Sequence, residues 1–238
     1  VDARARARKA VEPLDRGEHR SLRSAALELI RRELVTGHLP PGEPISIREL
    51  YLRFGGGQSA IREALCQLVS DGMVIAEDQR GFRASPLSAR DLADVTRSRV
   101  EIEVIALRDA IANGDTEWEA RVVSEFHRLS RLPKVEAGDA RFIAPEYKEQ
   151  HRRFHTELIS ACTSDWMKRF HATLFDHSER YRELVVAAYA DAPLRDVLAE
   201  HRELMDAVLE RDADRAVKLA TAHIEATTAN LLKTNKLQ

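Results

Sequence analysis

Four of the nine histidines in this 238-residue sequence are spaced so that they could do chemistry together. His151 and His155 lie four apart in YKEQHRRFHTEL, about one helical turn, so both imidazoles project from one face of one helix. His201 begins a periodic stretch with Leu204, Met205, Val208 and Leu209, and His223 falls on the next apolar stripe with Ala216, Leu219, Ala220 and Thr227. Three helices would thus bring imidazoles to a common point inside a bundle. Such donors, with open positions left for water, suit a divalent ion such as Zn, Ni, Co or Fe(II). Histidines one turn apart are also ordinary core or surface residues, so spacing alone leaves both readings open. His19, His38, His127, His171 and His177 read as structural or solvated, with His171 and His177 also placed to line a cavity.

The rest of the composition narrows the setting. Cys66 and Cys162 are the two cysteines, far apart and in no metal-like pair, so neither a disulfide framework nor a sulfur-ligated zinc site is expected. With 44% hydrophobic and 32% charged residues the chain is too apolar for a disordered protein. Thirty-seven basic against thirty-nine acidic side chains, a formal charge of -2, are too balanced for a protein that coats polyanions. No apolar run approaches the roughly 18 residues of a membrane span. The start, VDARARARKA, is basic with no apolar stretch behind it. A cytoplasmic protein that is neither exported nor embedded in a membrane is the expectation.

The elements that must position these residues fall into two groups. Residues 1–20, with Arg4, Arg6, Arg8, Pro13 and Gly17, read as a flexible basic arm. Leu22, Ala26, Leu27, Ile30, Leu34 and Val35 then recur at helical spacing up to Gly37. Ser46 and Glu49 form an S-x-x-E capping box ahead of a short helix with Leu50 and Phe54. Gly55 to Gly57 break it, and a third helix runs through Ile61, Leu65, Leu68 and Val69 to Asp71-Gly72. Two short apolar runs around the turn Glu77 to Gly81 predict a β-hairpin. Helix, helix, turn, helix and hairpin over residues 21–85 spell a winged helix-turn-helix. Residues 86–90 read as a linker. Everything in 91–234 is helical in period, with breaks at Asn113-Gly114-Asp115, Pro133 to Pro145, Thr163 to Asp165, Ala192-Pro193 and Asp212 to Asp214. Six or seven helices there predict an all-α antiparallel bundle, making the chain mostly α. Residues 1–90 carry 15 basic and 12 acidic side chains and the remainder 22 and 27. The near-neutral total therefore divides into a slightly basic and an acidic part.

In a helix-turn-helix the second helix of the motif enters the major groove of double-stranded DNA with its N-terminal residues at the base edges. That places Gln58, Ser59 and Arg62 at the groove, with Arg48 at the start of the preceding helix. Gln pairs bidentately with adenine and Arg with guanine. Arg80 and Arg83 flank the wing turn, where Gly81 permits close backbone approach to the sugar-phosphate edge. A solvated helical domain used for protein contacts is the alternative that pattern alone leaves open.

The segment GHLPPGEPISIRELYLRFGGGQSAIREALCQLVSDGMV resembles the DNA-binding domain of GntR-family transcription regulators. Arg62-Glu63-Ala64-Leu65 and the spacing to Gly72 match that family's pattern residue for residue. Gly56-Gly57-Gln58-Ser59-Ala60 stands where the family usually has V-S-R-T-P, so Gln58 replaces a base-reading Arg and the helix start lacks its usual cap and Pro. An operator unlike the family consensus and a looser turn in the DNA-free protein follow as expectations. Residues 88–232 resemble the FCD ligand-binding domain of the FadR-like branch. The likeness rests on Arg99 to Glu103, on His151 to Phe154-His155, on Glu200-His201 through Ala207, and on Ala216 to His223-Ile224. It implies His155, His201 and His223 as metal ligands. His151 stands at a position usually Asp or Asn, so it either coordinates or hydrogen-bonds the effector. It further implies a small organic acid as effector, with Arg99 and Glu103 in its site. WEA near Trp118, HRRFH and LFDHSERYR resemble the glutarate-sensing CsiR-type members. That likeness suggests a dicarboxylate and adds Arg180, Tyr181 and Arg182 as contacts.

The expected mechanism is that of a repressor: a homodimer sets two winged helices on a pseudo-palindromic operator, and effector binding changes their relative placement. Two alternatives are a bundle that serves only dimerisation and a metal-dependent helical hydrolase. For the latter, no histidine is followed by Asp and there is no H-E-x-x-H.

Overall fold

In the computed structural model, residues 21–136, 139–185 and 195–233 are described. The expected basic arm (1–20), the end of the expected helix Trp166–Tyr189, the break at Ala192-Pro193 and residue 234 lie outside them. The chain divides into two compact units between Ser88 and Ala89.

The first unit begins with α1 (Leu22–Val35), whose Ser21 side chain caps it by accepting from the Ser24 amide. Strand β1 (Pro44–Ile45) follows, then α2 (Ile47–Phe54) and α3 (Gln58–Ser70). Ser46 caps α2 by accepting from the Glu49 amide at 3.2 Å, as the S-x-x-E spacing predicts. Strands β2 (Val74–Glu77) and β3 (Gly81–Ala84) pair antiparallel, with Val74 opposite Ala84 and Glu77 opposite Gly81. Ile30, Leu34, Leu50, Phe54, Ile61, Leu65, Leu68, Met73 and Phe82 form the buried core. Burying a large apolar side chain contributes roughly 1.5 to 3 kcal/mol, so this face holds the three helices and the sheet together. Buried Glu33 accepts from Arg53 at 2.5 Å, tying α1 to α2, and lies 3.4 Å from His38. Burial opposes its charge, but His38 and Arg53 outweigh burial and hold the carboxyl below its usual range.

The sheet has a third strand that the sequence reading lacked: β1 pairs with β3 in the order β1-β3-β2. Two residues between Pro-Pro-Gly-Glu and Ser are too few for alternation to register, and the strand exists because Ile45 can bury opposite Phe82.

The second unit comprises α4 (Ala89–Asn113), α5 (Thr116–Arg131), strands β4 (Val135–Glu136) and β5 (Asp139–Ile143), α6 (Pro145–Leu158), α7 (Asp165–Val185), α8 (Val197–Leu209) and α9 (Ala213–Leu232). Helix α4 begins within the stretch 86–90 read as a linker. Helix α4 packs against α7 and α9, α5 against α6 and α8, and α8 against α9. Fully buried Trp118 anchors α5, its indole donating to the Glu157 carbonyl at 2.9 Å. Val122, Phe126, Leu129, Phe154, Leu158, Leu204 and Val208 fill the space around it. Among the described residues of this unit, β4 and β5, which pair antiparallel, are the strands. They fall in the break between Pro133 and Pro145, where short segments between turn residues gave no strand period. Among the described residues, no helix is long and apolar enough to cross a membrane.

Candidate metal centre and DNA-reading face

Helix α6 carries His151 and His155 one turn apart, α8 carries His201, and α9 carries His223. The bundle brings all four together: one ring nitrogen from each lies within 4.8 Å of the others. His155 Nε2 lies 3.1 Å from His151 Nε2 and 3.2 Å from His201 Nε2. Two nitrogens bound to a common ion at about 2.0 to 2.1 Å are about 3 to 3.4 Å apart in octahedral or tetrahedral geometry. The observed separations have that size.

Exposure is 1% for His151, 2% for His155, 0% for His201 and 8% for His223. Phe154 and Phe175 wall the cluster, their rings 5.3 Å from His201 and 5.7 Å from His155 respectively. Burial, reinforced by neighbouring cationic groups and the other imidazoles, pushes His151, His155 and His201 well below the usual histidine range. Burial lowers His223 too, although Glu200 opposes it. The rings are therefore neutral near pH 7, the state metal ligation needs.

The hydrogen-bond inventory also fits a cation. A neutral imidazole has one N–H and one lone pair. Among the described residues, the buried Nδ1 atoms of His155 and His201 have no hydrogen-bond partner, while their Nε2 atoms face other Nε2 atoms. A cation accepts lone pairs from several rings at once. His223 has the outer partner that ligating histidines commonly use: its Nδ1 lies 2.9 Å from Glu200 Oε2. Burial opposes the charge on Glu200, but hydrogen bonds from His223 and Arg195 prevail and hold the carboxyl down to about 2. Arg195 grips both Glu200 oxygens and donates to Thr227 and to the His223 carbonyl, each at 2.9 Å. Glu200 stands beside His201 in the sequence, whereas Arg195 lies outside the helical period, so their pairing leaves no local signal.

Charged groups surround the imidazoles. Arg99, 5% exposed, lies over the Phe175 ring at 4.7 Å and donates to Ser178 at 3.0 Å. Its buried Nε has no hydrogen-bond partner among the described residues. Glu103, one turn further along α4, lies 3.0 Å from His171, which is buried and not solvated. Burial opposes ionisation of Glu103, yet His171 and Arg99 hold its carboxyl below the usual range. Arg182 reaches to 3.4 Å from His151 Nδ1 and donates to Glu179 at 2.5 Å. Arg99, Glu103 and Arg182 thus neighbour the cluster. Buried Tyr181 instead donates to Asp91 at the start of α4, at 2.5 Å; burial pushes the Arg180 guanidinium below its usual range, with Tyr181 and Asp91 opposing the shift.

In the first unit, Gln58 and Ser59 are exposed on the first turn of α3 and Arg62 at the start of its second, and Arg48 is exposed on α2. Helix α3 has Gly57 at its N-cap and no side-chain cap. Its first amides and these polar side chains are presented together. Arg80 and Gly81 are exposed at the wing turn. Arg83 is half-buried and engaged, donating to Glu77 at 2.7 Å and to the Gly42 carbonyl at 2.6 Å. It braces the wing from within, a pairing across 41 residues that a local pattern does not reveal.

Comparison with known proteins agrees with both halves. Residues 22–83 match the bacterial regulatory proteins of the gntR family, and residues 94–226 match the FCD domain. The chain is 40% identical over 208 residues to the uncharacterized HTH-type transcriptional regulator BphR of Paraburkholderia xenovorans (strain LB400), spanning 87% of this chain and 84% of that protein. It is 32% identical over 197 residues to the HTH-type transcriptional repressor GlaR of Escherichia coli (strain K12), spanning 82% and 89%. In fold it is similar to E. coli McbR/YncC, with a TM-score of 0.76 at 19% identity over 90% of this chain and 98% of that one. A putative GntR regulator from Rhodococcus sp. RHA1 gives 0.70 at 18%, over 90% and 99%. The winged helix and helical unit are those of a DNA-binding transcriptional regulator. The chain belongs to the GntR family, in the group whose second domain is an FCD domain.

Proposed function

We propose that this regulator is a metal-dependent sensor of a small organic acid, and that the acid controls operator binding by a homodimer. The observation that carries the reading is the convergence of four buried imidazoles from three helices. His155, His201, His223 and His151 would hold a divalent ion, with Zn, Ni, Co and Fe(II) the candidates by donor type. The ion would supply positive charge for a carboxylate. Arg99 supplies a planar guanidinium with an unpartnered Nε beside the centre, a group suited to a carboxylate. Glu103 and Arg182 fix the charge around it. A dicarboxylate, with glutarate as first probe, is the proposed effector; Arg180 and Tyr181 support the wall by way of Asp91. An acid that binds two arrangements of the protein unequally shifts their balance. Relatives named as repressors support repression as the output.

For DNA, Gln58, Ser59 and Arg62 read base edges, Arg48, Arg80 and Gly81 meet the backbone, and Arg83 keeps the wing in shape. Exposure of the first turn of α3 supports this assignment.

The test is metal analysis of the purified protein before and after chelation, with thermal-shift titration of glutarate and related acids. Stoichiometric metal, acid stabilisation that disappears on chelation, and loss of both in His155→Ala/His201→Ala are expected. Stoichiometric metal in that variant would show that the ligands are elsewhere. Neither metal nor stabilisation by any acid would leave the bundle a dimerisation scaffold.

A further inference from the structure

The donor set of the histidine centre is entirely nitrogen. The four ligand atoms that cluster within 4.8 Å come from His151, His155, His201 and His223, and no carboxylate or thiolate joins that group among the described residues. The nearby acids are engaged: Glu200 with His223 and Arg195, Glu103 with His171, and Glu179 with Arg182. Bringing one of these oxygens into the cluster would cost the contact that now holds it.

His151 belongs to the set by position as well as by type. Its Nε2 is 3.1 Å from that of His155, and its ring is stacked 6.1 Å from Tyr147 on the same helix. Its outer nitrogen faces the Arg182 guanidinium, whereas that of His223 faces the Glu200 carboxylate. The guanidinium only donates, so it offers no acceptor to an Nδ1–H as Glu200 does for His223, and at 3.4 Å, with Arg182 bonded to Glu179, it is no strong partner of His151.

Building on the metal reading above, we propose that His151 is the residue that determines which ion the centre accepts. A fourth imidazole favours late first-row ions such as Co, Ni and Zn, whereas Mn and Mg prefer carboxylate, carbonyl and water oxygens. A neutral donor set also leaves the ion's charge uncompensated, which disfavours most the hard ions that gain least from nitrogen.

The experiment uses the full chain, stripped by chelation and refilled from equimolar Co, Ni, Zn, Mn and Mg, with bound metal measured by mass spectrometry. Wild type takes up a late ion and excludes Mn, and His151→Asp lowers the ratio of late ion to Mn by about an order of magnitude or more. Because Asp at this buried position could impair folding, His151→Asn is read in parallel through the Co(II) absorption spectrum. Its bands shift if an imidazole is lost from the ion. An unchanged ratio in a folded His151→Asp protein, or an unchanged cobalt spectrum in His151→Asn, overturns the assignment and leaves the three-histidine centre standing. A wild type that binds none of the five ions overturns the centre itself.

Discussion

His223 Nδ1 donates to Glu200 Oε2 across 2.9 Å, and the acceptor belongs to the residue immediately before His201. One carboxylate therefore orients an imidazole on the neighbouring helix while its own helix supplies another. Outer partners of this kind are typically worth 10- to 100-fold in metal affinity. Glu200→Gln should weaken metal binding by about that factor without changing helix content. Competition against a chromophoric chelator measures it, and unchanged affinity would show that the pair is only structural.

Arg62 stands exposed near the start of α3, with no shared element between it and the imidazole cluster. A bidentate guanine contact contributes roughly 1 to 3 kcal/mol of discrimination. Arg62→Ala should abolish the specific operator shift at moderate salt while leaving metal content intact. Equal operator affinity in the variant would remove α3 from the reading role.

Acid should weaken the first unit through Glu33. Its folded carboxyl lies below the ordinary value because His38 and Arg53 outweigh the burial that opposes its charge. A depressed folded pKa contributes stability that is full above the ordinary carboxylate range and is lost as pH falls through the folded value. Glu33→Gln should be less stable than wild type by about 1 to 3 kcal/mol at pH 7, and the gap should narrow on acidification. Urea titrations across that range give the answer; a gap that widens in acid contradicts the assignment.

Gly114 closes the α4–α5 corner against the Trp118 ring. A Cβ there would sit 2.0 Å from the indole, which is fully buried and hydrogen-bonded and so has nowhere to move. Gly114→Ala should destabilise the helical unit by about 1 to 3 kcal/mol, the usual scale of overpacking. A calorimetric scan of the variant is sufficient, and an unchanged transition would mean that the corner relaxes freely.

Much of this was legible because helices write their buried faces into the chain. His151 and His155, and the stripe through Ala216, Ala220 and His223, announced their helices and their shared interior. The glycine run and the capping box marked the ends of α2. What stayed hidden depends on partners distant in sequence. Arg83 pairs with Glu77 and with the Gly42 carbonyl, 41 positions away. Tyr181 donates its hydroxyl to Asp91, ninety positions earlier. The short strands β1 and β4 were hidden for another reason: two residues have no period.

The joint between α2 and α3 carries one more implication. Gly55 has φ 75° and ψ -148°, a combination that is essentially closed to L side chains. A Cβ added there would meet nothing within 4 Å, so the restriction comes from handedness and not from room. The mirror-image torsions are an ordinary extended conformation. A semisynthetic protein with D-alanine at this position should therefore fold at least as well as the natural one, because fewer unfolded conformers compete. Ribosomes supply only the other hand, so glycine is the one encoded residue that takes up this bend without strain.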